Sequence, residues 1–507
     1  GGRKGLEKES LRVTPEGCLA QTPHPHALGS ALTSEHITTD YSEALIELVT
    51  PAFTASWELL QYLLDLHQFV YRHLGEELLW ATSMPCRIET DTDIPIARYG
   101  TSNVARMKTA YREGLSLRYG RMMQAISGVH FNYSFPEHFW EVYAAARESR
   151  SHGRDFVSAS YFDLLRNYRR YGWIVLYLFG VSPAVSRSFF ESRGETPHES
   201  RGGTLRELGP DTLYEPYGTS LRMSDIGYRN RNQAGLSISV NSLEEYVSDL
   251  TRAIFTPYPS YEALGVEVDG KYRQLNANVL QIENEYYSYI RPKRVAHSGE
   301  RPTKALRRAG VEYVEVRALD VSAFDPVGVN QHKLRFLEAF LALCLLKESP
   351  PIDAALEREL DSNHLTVARR GREPGLTLSR DGREVSMVGW AQELLDSLSG
   401  LCELLDHGDP ARPYQLSLAT QAAKVRDVKL TPSARLLAEL ESGESFFDLA
   451  LRMSRLHTAY FLDLYPPNAE RQAELGAEAA ESLEKQRAIE AGDKESFEQY
   501  LSRYFED

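Results

Sequence analysis

The chain has 507 residues, 42% hydrophobic and 25% charged, enough apolar content for one large enzyme domain or a few smaller ones and unlike a disordered chain. Its formal net charge of -14 and pI near 5.6 exclude the broad basic surface of sequence-independent nucleic-acid binding, so small molecules are the expected partners. Cys18, Cys86, Cys344 and Cys402 are too dispersed for a disulfide framework, and neither an apolar run of spanning length nor a secretory start is seen, so a reduced, cytoplasmic, membrane-free setting is expected.

Gly5 to Val13 opens the chain as a strand closed by the turn Thr14-Pro15-Glu16-Gly17. Strand parity puts Glu7, Glu9, Leu11 and Val13 on one face. Two carboxylates beside apolar neighbours repel each other and lose hydration unless cations neutralise them, so the pair predicts a divalent metal; a solvated acidic pair is the commoner alternative. The start at Gly1, six residues before Glu7, points to residues removed or not included upstream. In the next segment Glu43 and Glu47 share a face whether it is helical or extended, and Glu47, between Ile46, Leu48 and Val49, is the better buried candidate.

Residues 57 to 80 carry the apolar spacing of an amphipathic helix, with similar patterns near 155 to 180, 330 to 347, 390 to 406 and 470 to 504. Strands are expected at 127 to 135, 264 to 269, 271 to 283 and 311 to 318. In the strand at 127 to 135, His130, Asn132 and Ser134 face away from Val129, Phe131, Tyr133 and Phe135; such a histidine is more often structural and becomes a ligand only in company. Residues 185 to 215 read as a loop near a site or as a plain surface insertion.

Gly265 to Lys271 imitates the start of a phosphate loop, but Tyr272 takes the hydroxyl position and Asp269-Gly270 is a hairpin signal. The acids Glu283 and Glu285 lead into the bases Arg291, Lys293 and Arg294, an order that suits a metal and a polyphosphate together. At 311 to 318, Tyr313, Glu315 and Arg317 share a face opposite Val314 and Val316. Glu, His and Asn donors with an arginine are what a magnesium-triphosphate site requires, although a surface ion pair explains the last strand equally well. Irregular mixing of helices and strands favours an α+β fold with a largely antiparallel central sheet flanked by helices. Residues 1–335 would form the catalytic region and 336–507 a mainly helical supporting region rather than an independent domain.

In succession, Gly5-Leu6-Glu7-Lys8-Glu9, the run 26 to 33, Ile37-Thr38-Thr39-Asp40, Ser83-Met84-Pro85-Cys86, Tyr99-Gly100-Thr101-Ser102-Asn103, Tyr111-Arg112-Glu113-Gly114-Leu115, Ser127-Gly128-Val129-His130, Thr219-Ser220-Leu221-Arg222, Ile290-Arg291-Pro292-Lys293-Arg294 and Glu312-Tyr313-Val314-Glu315-Val316-Arg317 closely resemble the proteobacterial type of glutamate-cysteine ligase. The resemblance runs from residue 5 to about 335. It implies an ATP-dependent ligase of the first step of glutathione synthesis, with a catalytic sheet similar to that of glutamine synthetase. It further implies L-glutamate, L-cysteine and ATP as substrates, Mg2+ (or Mn2+ in its place) as the metal, and glutathione as a feedback inhibitor. Carried over by motif, Glu7, Glu9, Glu47, His130 and Glu315 would be metal ligands, with Asp40 nearby and Glu9 and Arg317 closest to the chemistry. Arg317, Arg291 and Lys293 would meet the nucleotide phosphates, and Tyr111, Arg222 and Tyr228 the cysteine-side pocket. Some relatives carry a regulatory disulfide near the position of Cys86; the region 139 to 145, where its partner would be sought, has no cysteine here.

Overall fold

Seven strands build the central sheet of the protein, seen here in a computed structural model that describes residues 1–149, 153–194, 205–227, 236–297 and 299–506. They are β1 (Arg3–Val13), β2 (Ile37–Thr39), β3 (Leu45–Val49), β4 (Leu78–Leu79), β5 (Gly128–Ser134), β6 (Ile290–Lys293) and β7 (Tyr313–Asp320). The order is β6-β7-β5-β1-β3-β2, with β4 also on β1, and each of these pairings is antiparallel. The α+β expectation with a largely antiparallel sheet holds.

The alternation of β1 divides its side chains between two cores. Leu6 packs with Ile46, Leu48, Val129 and Phe131, whereas Leu11 and Val13 join Leu45, Trp80, Met84 and Ile126. Burying both faces leaves the charged residues of β1 in need of partners. Lys4 finds one in Glu338, 2.7 Å away with both side chains 1% exposed. Tyr414 Oη donates to the same carboxylate at 2.6 Å. This ties β1 to the helices Gln331–Leu346 and Pro413–Arg426.

Several element boundaries differ from expectation. The first helix is Ser56–His73 and stops short of residue 80, because Gly75 adopts a left-handed φ of 66° and Leu78–Leu79 pair with β1 instead. The pattern at 155 to 180 is two helices, Gly153–Tyr171 and Trp173–Phe179, the latter buried along its whole length. Of the strand expected over 271 to 283, only Lys271–Tyr272 forms, paired with Glu267–Val268 across Asp269-Gly270, both at positive φ. Beyond it, polar side chains compete for the backbone: the Leu275 N–H donates to Gln281 Oε1, Asn276 Nδ2 to the Gln281 carbonyl and the Asn278 N–H to Asn276 Oδ1. The 185 to 215 segment contributes a small sheet, Ala184–Ser186, Thr212–Tyr214 and Arg206–Leu208; residues 195–204 lie outside the described residues. Among the described residues no helix is long and apolar enough to cross a membrane.

One half-buried cation should make the folded state pH-sensitive. Lys424 Nζ donates to the Leu178 carbonyl at 2.8 Å and lies 5.0 Å from the Phe179 ring centroid. Burial, reinforced by Lys333 and only partly offset by Asp325, lowers its pKa to about 7. An unfolded lysine keeps its proton to about pH 10.4. Between about pH 7 and 10 the unfolded state therefore binds more protons, and stability rises with pH. Lys424→Met should flatten that rise, as read from urea midpoints at about pH 7 and 9; an unchanged slope would contradict this placement.

Candidate active site

Antiparallel register collects the polar residues of five strands on one face. Glu9 stands opposite Glu47, Glu7 opposite His130, Asn132 opposite Glu315, and Glu315 opposite Arg291. His130 Nδ1 lies 2.9 Å from Glu7 Oε2, and His130 Nε2 4.0 Å from Glu9 Oε1. Asn132 Nδ2 donates to Glu7 Oε1 at 2.9 Å, and the Gly128 N–H to Glu9 Oε2 at 2.6 Å. At the far side Lys293 Nζ donates to Glu315 Oε1 at 3.0 Å, and Arg317 Nη1 is 3.5 Å from Glu315 Oε2. The register of β7 against β5 slips between Val316 and Leu319, a bulge of the kind that re-aims side chains beside active sites.

The face has two electrostatic ends. At one, burial and then the neighbouring charges of Glu7, Asp40 and Glu9 push the Glu47 carboxyl well above the usual range. Burial likewise raises Glu9, where Asp40 adds to the rise and His130 and Arg222 only partly offset it. At the other end, burial opposes ionisation of Glu315, yet Lys293, Arg317, His130 and Arg291 together hold its carboxyl below the usual range. Glu7 sits between: burial and Glu315 raise it, and the His130 hydrogen bond and charge, with Lys293, bring it below normal. At one end the carboxylates thus outweigh the nearby cations, Arg112 included, and at the other the cations outweigh the carboxylate.

The donor set fits a divalent ion. One ligand atom from each of Glu7, His130 and Glu315, and one from each of Glu9, Glu47 and His130, lie within 4.8 Å of one another. Carboxylate oxygens suit Mg2+, and the imidazole also suits Mn2+. Among buried polar atoms nearby that have no hydrogen-bond partner, Arg291 Nε and Arg317 Nε are donors that fit a ligand rich in oxygen acceptors, and Asn132 Oδ1 is an acceptor that fits a cation.

Arg222 reaches the site from the 220s. Its Nη1 donates to the Arg317 carbonyl at 3.0 Å, and it passes so close to Gly128 that a Cβ there would fall 2.0 Å from Nη2. Tyr111 lies on the helix Asn103–Tyr119, where burial, then the charge of Glu285, raises its phenol. Tyr228 lies outside the described residues. The acidic ladder Glu283/Glu285 is not part of the cluster. Glu285 accepts from Arg118 Nη1 (2.9 Å), Tyr119 Oη (2.7 Å) and the Gln281 N–H (2.6 Å), and Glu283 accepts from Thr303. Cys86 is a buried free thiol.

Two residues went unassigned in the sequence. Arg112 Nε donates to the Asp40 carbonyl at 2.5 Å, and Lys108, one helical turn earlier, feels Glu47 and Asp40 while burial lowers its pKa to about 8. The spacing of Lys108, Tyr111 and Arg112, three and four residues apart on one helical face, was the signal available.

Comparison with known proteins agrees with this geometry. The Glutamate-cysteine ligase family model matches residues 1–367. A glutamate-cysteine ligase of Alcanivorax borkumensis is 50% identical over 513 residues, covering 100% of this chain and 96% of that relative. One from Pseudomonas putida is 49% identical over 501 residues, covering 99% and 94%. The crystal structure of glutamate-cysteine ligase from Francisella tularensis in complex with AMP superposes with a TM-score of 0.91 at 36% identity, covering 99% of this chain and 97% of that one. The bifunctional glutathione synthetase of Pasteurella multocida shares the fold, with a TM-score of 0.71 at 23% identity over 91% of this chain and 53% of its own. The chain belongs to the glutamate-cysteine ligase family, ATP-dependent ligases of the first step of glutathione biosynthesis.

Proposed function

We propose that this protein joins the γ-carboxylate of L-glutamate to the amine of L-cysteine through γ-glutamyl phosphate, with Glu7, Glu9, Glu47, His130 and Glu315 holding Mg2+, or Mn2+ in its place. The observation that carries the reading is the pairing of a cluster where carboxylates outweigh cations with an end where cations outweigh the carboxylate, on one sheet face. A carboxylate does not condense with an amine in water without activation. The γ-carboxylate oxygen would attack the γ-phosphorus of ATP, breaking the bond to the β,γ-bridging oxygen and releasing ADP. The cysteine amine would then attack the acyl carbon, lose a proton, and expel inorganic phosphate as the C–O bond breaks. When bound, the metal supplies charge neutralisation for the polyphosphate.

The chain's own groups position and stabilise. Arg317, held beside Glu315, would take the transferring phosphoryl, and Arg291 and Lys293 the remaining phosphates. Arg222 would pair with a substrate carboxylate, with Tyr111 and Tyr228 lining the cysteine side. Glutathione carries the product's γ-glutamylcysteine portion and would compete for the amino-acid end as a feedback inhibitor. A cytoplasmic location, and a supporting role for residues 336–507, complete the reading. The direct test is phosphate release in the presence of glutamate, cysteine and Mg-ATP, repeated with other amines in place of cysteine. Release only with an amine other than cysteine would overturn the substrate assignment.

Two sets of variants probe the roles. Glu9→Gln should keep a melting transition at or above the wild-type temperature and lower metal-dependent ADP release by about 100-fold or more, while Arg317→Lys should lower kcat about 100- to 1,000-fold; near-normal turnover in either would contradict its role. Glu47→Gln removes a carboxylate that repels Glu9, so in chelator it should melt above wild type, yet gain less than wild type on adding Mg2+. Equal Mg2+ gains in a thermal-shift assay would take Glu47 out of the ligand set.

A further inference from the structure

The helices Ala469–Gly492 and Phe497–Phe505 reach back across the molecule to the helix that carries Lys108, Tyr111 and Arg112. Asp493, in the connection between them, accepts from the backbone N–H of Asn103 and, at 2.8 Å, from Asn103 Nδ2. The same amide donates to the Glu495 carbonyl at 2.9 Å. One residue upstream of the helix cap, the Thr101 N–H donates to Glu490 Oε1 at 2.8 Å. Backbone N–H groups of a first helical turn have no partner within the helix, and a carboxylate there also complements the helix dipole. The cap Ser102 serves only the Ala105 N–H, so the C-terminal carboxylates supply what it does not.

The docking is close. At Gly100 (φ 106°) a Cβ would fall 2.3 Å from Glu490 Oε1, and at Gly29 (φ 87°) 2.4 Å from Ser482 Oγ and 2.8 Å from Ala479 Cα. Only glycine fits either place. Phe497 and Leu501 pack on Met107 and Ala110 of the clamped helix, and the Arg106 guanidinium lies 4.3 Å from the Phe497 ring centroid. Farther along that helix, Arg112 Nε donates to the Asp40 carbonyl at 2.5 Å, and Tyr99 Oη, from the segment before the helix, donates to the same oxygen at 2.8 Å. Asp40 follows β2, whose Thr38 stands opposite Glu47.

We infer that Asp493 is a positioning residue for the reaction, holding the helix Asn103–Tyr119 in the register that keeps Arg112 on Asp40 and Tyr111 at the amino-acid end of the site. The inference rests on the proposed function. A helix moves as a rigid body, so a shift at Asn103 is passed on to Arg112, and displacements of about 1 Å are enough to cost large factors in binding or rate. The phosphate-facing cations sit on β6 and β7, not on that helix, and the link between them is indirect: Arg291 Nη2 donates to the Asn284 carbonyl, next to the Glu285 that Arg118 and Tyr119 hold.

The test measures kcat and KM for glutamate, cysteine and ATP in wild type, D493A and D493N, with melting temperatures alongside. In D493A the KM of at least one amino-acid substrate should rise about tenfold, with the KM for ATP changing less than about twofold. D493N keeps one acceptor oxygen for Asn103 and should recover part of the loss. Three unchanged KM values, or a fall in kcat alone that tracks the melting temperature, would overturn the inference. Should D493A not accumulate as folded protein, E490Q is judged by the same criteria. A wild-type chain that releases no phosphate from ATP with glutamate and cysteine would overturn the proposed function instead.

Discussion

The cross-strand opposition of Glu9 and Glu47 is the constraint on which the site depends. Like charges placed directly opposite on one sheet face destabilise the pairing. Here the pair is further loaded by Glu7 on the same strand and by Asp40 at the end of β2. At Glu9 the carboxylate meets one structural need, accepting the buried Gly128 N–H at 2.6 Å, but at Glu47 an apolar residue of similar size would close the sheet more favourably. The folded chain carries a standing electrostatic cost that a divalent cation would relieve, so on the proposed reading metal affinity and fold stability would be coupled through the same few side chains.

The surrounding structure makes that cost tolerable and keeps its geometry. Pairing with both β3 and β5 fixes the register of β1, and a slip of one residue would exchange Glu7 and Glu9 for Leu6 and Lys8. On the reverse face the buried Lys4–Glu338 pair locks the strand to the helices beyond residue 330. At the opposite edge, Lys293, Arg291 and Arg317 compensate Glu315, so the sheet face runs from excess negative to excess positive charge over its few strands. A bound Mg-polyphosphate has the matching gradient, cation at one end and phosphate oxygens at the other.

Much of this was legible because strand parity is a simple rule. The alternation in 5 to 13, 127 to 135 and 311 to 318 placed Glu7, Glu9, His130 and Glu315 on consistent faces before any pairing was known. Pairing itself was not legible: that Glu9 meets Glu47, and that His130 reaches both Glu7 and Glu9, depends on contacts between distant segments. Local polar chemistry also misled. Glu283 and Glu285 looked like a second acidic site but are consumed by Arg118, Tyr119 and Thr303, and asparagine and glutamine side chains turned the expected strand at 271 to 283 into a folded loop. Arg112 was visible in its motif but gained a role only once Asp40 was found beneath it.

The claim at the centre of this account is that the face activates the glutamate side chain by phosphorylation. It is tested most directly with glutamate carrying 18O in both γ-carboxylate oxygens, incubated with the protein, cysteine and Mg-ATP, with the released phosphate analysed by mass spectrometry. The account predicts one 18O in each phosphate formed with γ-glutamylcysteine, because the attacking oxygen leaves with the phosphoryl group. Product formed with unlabelled phosphate would contradict it.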